Sequence, residues 1–156
     1  MSFVIEGLDP APFRPLYGLS DAALAERRVV RMIVDAKPGF PCRVTLEDAA
    51  PGEAVLLVNH EHLAVASPYR SAHAIFVREG AEAIGRFEGE VPVQLSGRLL
   101  SVRAFDAAGM MTDADVVEGI DLEGLIARSF GDPAVAYLHV HNARRGCFAA
   151  RVDRNP

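Results

Sequence analysis

Apolar and polar residues alternate over much of this chain with the two-residue period of a β-strand. Across Val29 to Val34, the pattern puts Val30, Met32 and Val34 on one face and Arg31 on the other. Ala54 to Val58 is apolar on both faces, as in a central strand covered on each side. Ala72 to Arg78 and Leu99 to Phe105 are further strands. Helical signals are fewer. Ser20 is an N-cap candidate for a short helix through Asp21-Ala22-Ala23-Leu24-Ala25. Asp121 is the N-cap candidate for a second helix, in which Leu122, Leu125, Ile126 and Phe130 form an apolar stripe before Gly131 and Pro133 stop it. Pro10, Pro12 and Pro15 hold the segment between them in an extended path. These elements predict an α+β fold: a mainly antiparallel sheet with a C-terminal β-hairpin and one or two short helices. With no linker or repeat to divide it, residues 1–156 read as a single domain.

The C-terminal hairpin is the most informative segment. Alternation puts Ala136, Leu138 and Val140 on one face of its first strand, with Tyr137, His139 and His141 on the other. In the returning strand Phe148, Ala150 and Val152 are the apolar set, opposite Cys147, Ala149, Arg151 and Asp153. The two apolar sets must share the core, which fixes the parity of the pairing. A loop of Arg144-Arg145-Gly146, with Gly146 left-handed, satisfies that parity and pairs His139 with Arg151 and His141 with Ala149. A five-residue loop pairing His141 with Cys147 has the same parity. In either register Tyr137, His139, His141, Cys147, Arg151 and Asp153 share one face.

Composition narrows the function classes. The 156 residues carry 16 basic against 21 acidic side chains, a formal net charge of -5, so neither a nucleic acid nor an anionic membrane is an expected partner. The N-terminus lacks the basic and long apolar regions of a secretory signal, and two cysteines are too few for a disulfide scaffold, so a cytoplasmic protein with reduced thiols is expected. No Walker loop, dinucleotide-binding glycine fingerprint, Gly-x-Ser-x-Gly elbow or His-Glu-x-x-His motif is found.

What remains is histidine, cysteine and arginine chemistry. His139 and His141, two residues apart with Cys147 nearby, are candidate ligands of a divalent metal such as zinc, with Cys42 or His62 as a third or fourth ligand. The same side chains can instead form a thiolate–imidazole pair, making Cys42, His139, His141 and Cys147 the catalytic candidates. Cys42 follows the turn Pro38-Gly39-Phe40-Pro41, adjacent to Arg43, where a helical turn would begin; a buried packing thiol is the alternative. Pro68-Tyr69-Arg70 lies between two strands. There Tyr69 and Arg70, with Arg151, are candidates for gripping a small anionic ligand. All 16 basic residues except Lys37 are arginine, however, so no single arginine is distinctive. Asn59-His60-Glu61-His62 reads as exposed loop histidines and His73 as a lone core histidine.

Three motifs together resemble the bacterial domain-of-unknown-function family 1203. They are Pro38-Gly39-Phe40-Pro41-Cys42-Arg43 continuing through Ala49, Pro68-Tyr69-Arg70 with Ile75-Phe76-Val77-Arg78, and Gly146-Cys147-Phe148-Ala149-Ala150-Arg151. The resemblance implies a single-domain bacterial protein of about this length and brings no activity with it. It makes Cys42, Tyr69, Arg70, Arg78 and Cys147 part of a family pattern.

Three functional expectations follow. The first is a small-molecule or metal-binding protein, enzyme or not, with its Cys/His/Arg site on the polar face of the hairpin. The second is a noncatalytic interaction module or homodimer in which those residues are structural. The third is a thiol redox sensor using Cys42 and Cys147, which needs their Cα atoms within about 7 Å.

Overall fold

The alternating segments pair into two antiparallel sheets in the computed structural model, which describes residues 2–156; Met1 lies outside the described residues. In chain order the strands are β1 (Ser2–Glu6), β2 (Val30–Ile33), β3 (Ala54–Leu63), β4 (Ser71–Arg78), β5 (Arg86–Glu88), β6 (Leu99–Phe105), β7 (Met111–Glu118), β8 (Tyr137–Asn142) and β9 (Phe148–Asn155). The helices are α1 (Asp21–Glu26), α2 (Val93–Ser96) and α3 (Leu122–Phe130). Strands β5-β1-β9-β8-β6-β7 form a six-stranded sheet, and β2-β3-β4 form a three-stranded one. The architecture is α+β and mostly antiparallel, ending in the β8–β9 hairpin. No helix among the described residues is long and apolar enough to cross a membrane.

One face of the large sheet carries the main core. Leu100, Val102 and Ala104 of β6, Leu138 and Val140 of β8, and Ala150 and Val152 of β9 are buried against Leu122, Leu125, Ile126 and Phe130 of α3. The stripe read from the sequence is therefore the buried face of that helix. Its start differs from expectation. Asp121 closes a 3-10 turn with backbone angles of -100° and 5°, so its side chain makes no capping hydrogen bond. Gly131 ends the helix in the right-handed region rather than the left-handed one. Ser20 does cap α1, accepting a 3.1 Å bond from the Ala23 amide.

In the small sheet the doubly apolar β3 is central, as its pattern requires. It runs past Val58 to Leu63, so Asn59-His60-Glu61-His62 belongs to a strand and not to an exposed loop. The edge strand β2 leaves Val30 and Ile33 more than half exposed.

The sheets are joined by the segment 41–48, which bridges β4 through Cys42 and Phe76. Two glycines permit the join. The Gly7 amide donates to the Gly85 carbonyl, Leu8 to Arg43 and Gly85 to Val44, all at 2.8–2.9 Å. A Cβ on Gly85 would lie 2.2 Å from the Thr45 carbonyl oxygen, and one on Gly7 would lie 1.9 Å from that of Val44. Neither backbone can retreat without losing these bonds. Gly85→Ala is therefore expected to cost at least about 2 kcal/mol in urea unfolding, against less than about 1 kcal/mol for Gly97→Ala. The nearest atom to a Cβ on Gly97 is 3.9 Å away, so equal effects would refute the close-approach account.

Candidate functional site

The face of the large sheet opposite α3 is where chemistry collects. Alternation along β8 sends Leu138 and Val140 into the core and leaves Tyr137, His139 and His141 on the other side, as read from the sequence. Arg103 on β6 pairs with His139 and stands beside the same group. The small sheet adds two more imidazoles: His62 from the irregular end of β3 and His73 from β4. His62 Nε2 lies 3.2 Å from His73 Nδ1. One ring nitrogen from each of His62, His73 and His141 lies within 4.8 Å of the others. His139 completes the group, its ring centroid 5.7 Å from that of His62 and 6.4 Å from that of His141.

The hairpin carries a bulge that the sequence reading lacked. Val140 pairs with Ala150 but His141 pairs with Phe148, which leaves Ala149 as the extra residue. His139 opposite Arg151 is as expected; His141 opposite Ala149 is corrected. The shift turns Phe148 out of the apolar set onto the histidine face. There its ring stacks on His62 at 5.1 Å with an interplanar angle of 3°. Cys147 is displaced into the loop, and its sulfur is not among the atoms that converge with the imidazoles.

Burial sets the protonation of the cluster. Desolvation, reinforced by neighbouring imidazoles and Arg103, pushes His62 down to about 4 and His139 down to about 3. His141 also falls to about 3, although its bond to the Gly146 carbonyl opposes the shift. His62, His139 and His141 are thus neutral at pH 7, and hydrogen bonding selects the tautomer of His141. The 2.9 Å contact of His141 Nδ1 with the Gly146 carbonyl requires a proton on Nδ1. That leaves the Nε2 lone pair facing Arg103 Nη1, 3.4 Å away. Burial also lowers the pKa of Arg103, which has no carboxylate partner among the described residues. The Nδ1 atoms of His62 and His139 are buried without a hydrogen-bond partner.

Beside this cluster runs a cleft of about 760 Å³. His73, Cys147, Asn142 and Arg43 contribute to its lining. Arg43 is 2% exposed and each of its guanidinium nitrogens is hydrogen-bonded: Nε donates to Phe148 O at 2.8 Å, Nη1 to Pro41 O at 2.7 Å and Nη2 to Cys147 Sγ at 3.2 Å. Asn142 Nδ2 also donates to that sulfur, at 3.4 Å.

The remaining sequence candidates lie apart from one another. Cys42 is buried in an extended bridge to β4, not at a helix start, and its sulfur accepts from the Arg78 amide at 3.3 Å. Tyr69 packs edge-on to Phe105. Arg70 is paired with Glu61 at 3.1 Å, and Arg151 is paired with Asp153 while lying over the Tyr137 ring. Neither arginine has an uncommitted fork.

Comparison with known families matches residues 39–154 to the model described as "Protein of unknown function (DUF1203)". The chain belongs to that family. Comparisons with curated proteins and with solved structures gave no match. The matched span holds the whole join between the sheets from Gly39 onward, all the histidines and the hairpin. The family motifs Pro41-Cys42-Arg43 and Gly146-Cys147-Phe148 are the two segments that the Arg43 side chain binds together.

From the sequence His62 was a possible third or fourth ligand but read as an exposed loop residue, His73 read as a lone core histidine, and Arg103 had no role. A usable signal was present: His60-Glu61-His62 repeats the spacing of His139-Val140-His141.

Two measurements check this description. Histidines held neutral by burial stabilise the fold fully above their unfolded pKa of about 6.5, and that stability is lost as pH falls toward the folded values. With a chelator present, unfolding free energy is expected to decline from pH 7 to pH 5, before carboxylates titrate, and less steeply in His139→Gln; a flat profile would contradict neutral burial. Arg43→Met removes the guanidinium's bonds to two carbonyls and leaves the Cys147 sulfur only its Asn142 donor, with an expected cost of about 2–4 kcal/mol in denaturant unfolding. A cost below about 1 kcal/mol would mean that water replaces the guanidinium.

Proposed function

We propose that this protein binds a divalent transition metal through His62, His73 and His141, and that the centre serves a small molecule held in the adjoining cleft. The observation that carries this reading is the convergence of three imidazole nitrogens within 4.8 Å, contributed by both sheets. Three nitrogens on one tetrahedral ion at 2.0–2.1 Å stand about 3.3 Å apart. The 3.2 Å separation of His62 and His73 already meets that spacing. His141 fits the role because its Nδ1 proton is held by a backbone carbonyl, the usual way of presenting the opposite nitrogen to a metal. An all-imidazole donor set suits zinc, cobalt, nickel or copper and disfavours magnesium or calcium. Three protein ligands leave a coordination position open. Arg103, beside His141, supplies countercharge for an anionic group there.

This keeps His141 from the hairpin as a ligand, moves His139 to the flank and replaces Cys147 with His62 and His73. A redox couple of Cys42 and Cys147 has weaker support, since each sulfur is engaged by separate donors and Cys42 is fully buried.

Untagged protein, stripped with chelator and titrated with zinc or cobalt, is expected to bind one equivalent, with cobalt giving the visible spectrum of a low-coordinate nitrogen site. His73→Ala and His141→Ala are each expected to weaken binding at least about 100-fold, while His60→Gln leaves it intact. Substoichiometric binding, or full binding by the His141 variant, would overturn the assignment.

A further inference from the structure

The cleft has two unlike walls. Met32 of β2, Leu57 of β3 and Phe76 of β4 make an apolar wall on one face of the small sheet; Val30 stands opposite Leu57, and Leu57 opposite Phe76. Across from it, the tip of the β8–β9 hairpin presents Arg144 and Arg145. Among the described residues, Arg14, Arg31, Arg70, Arg78, Arg86, Arg98 and Arg151 form ion pairs with carboxylates. Arg144 and Arg145 form none, and no hydrogen bond holds either guanidinium among the described residues.

The chain leaves these two forks uncommitted where the tip is well fixed. The Gly146 amide donates to the Asn142 carbonyl at 2.8 Å, with Gly146 in the left-handed region at φ 79°. The Asn142 amide in turn donates to the Cys147 carbonyl at 2.9 Å. The other cationic lining residues are engaged: Arg98 with Asp48 at 2.7 Å, and Arg43 with its carbonyls and sulfur. Glu118 is the one acid in the lining.

We infer that the cleft binds a small amphipathic acid, its apolar body against Met32, Leu57 and Phe76 and its oxyanion head, carboxylate or phosphate, on Arg144 and Arg145. Guanidinium forks match both heads in bidentate geometry. A volume of about 760 Å³ fits a molecule of tens of non-hydrogen atoms. The head would lie next to the histidine cluster, since a Cβ on Gly146 would stand 4.0 Å from His73 Nε2. This inference rests on the cleft alone and needs no metal.

The test uses isotope-labelled full-length protein in chelator at low salt, followed by amide NMR. The probes are 3-phenylpropanoate, phenyl phosphate and the neutral 3-phenylpropanamide. Saturable shifts are expected at amides around Gly39, Phe76 and Cys147 with at least one acid, and at least about ten-fold weaker binding with the amide. Arg144→Ala/Arg145→Ala, a change at an exposed loop, is expected to weaken acid binding at least about ten-fold while leaving the rest of the spectrum in place. The acid that binds more tightly identifies the head group. Equal binding of acid and amide, an unchanged double variant, shifts confined to other surfaces, or no saturation by about 10 mM would each overturn the inference. Because chelator is present throughout, failure here leaves the metal titration untouched, and the converse holds.

Discussion

A guanidinium buried to 2% exposure with no carboxylate against it is costly unless its nitrogens find acceptors, and each of the three Arg43 nitrogens has one, supplied by two distant segments. Its own Pro41 carbonyl takes one bond, while Phe148 and Cys147, more than a hundred residues on, take the others. The Arg43 backbone is equally committed, donating to Phe76 of β4 and accepting from Leu8 beyond β1. One residue thus pins the end of the hairpin to the edge of the small sheet. The side chains carried by those two ends, His141 and Phe148 on one and His73 on the other, meet as a consequence.

The meeting point is a group of four imidazoles, with His62 stacked on Phe148, His139 and His141 edge-on to it, and Arg103 at the flank. In this poorly solvated space an added proton on His62, His139 or His141 is unfavourable, because the charge is poorly hydrated and is repelled by its neighbours. Neutral rings have lone pairs to offer. His141 has one directed away from its carbonyl anchor, and His62 and His73 share one proton between facing nitrogens. A proton and a divalent ion are alternative occupants of such a space. The ion has the advantage that it engages several lone pairs at once.

The fold was largely legible because alternation and helix stripes report burial directly. Leu99–Phe105, the Ser20 cap and the buried face of α3 were all read from local pattern. The site was legible only in part. Strand parity brought His139 and His141 to one face, since that depends on neighbours in sequence. It could not reveal Ala149 as a bulge, because a single unpaired residue obeys no pattern that runs along the strand, and this one residue exchanged Cys147 for Phe148. His73, and the strand placement of His62, were missed for another reason. They come from a different sheet, and their approach is set by Arg43 and by Gly7 and Gly85, whose importance lies in carbonyls 1.9 and 2.2 Å from an absent Cβ. Tyr69, Arg70 and Arg151 failed to converge because nearby carboxylates and rings engage exposed arginines first.

The arginine excess acquires a different meaning once partners are assigned. Spread over the sequence it is a compositional bias without information. Among the described residues seven of the fifteen guanidiniums are paired with Asp or Glu, mainly at the surface, where such pairs contribute little stability. Those without an acid partner near the candidate site are distinctive by position: Arg43 inside the join, Arg103 against the histidines, Arg144 and Arg145 at the cleft. In a chain of net charge -5, unpaired positive charge concentrated around one centre creates a local field of the opposite sign to the molecule as a whole. An anion is repelled by the general surface and attracted there. For the amphipathic acid we propose, the field selects the location and the apolar wall the shape.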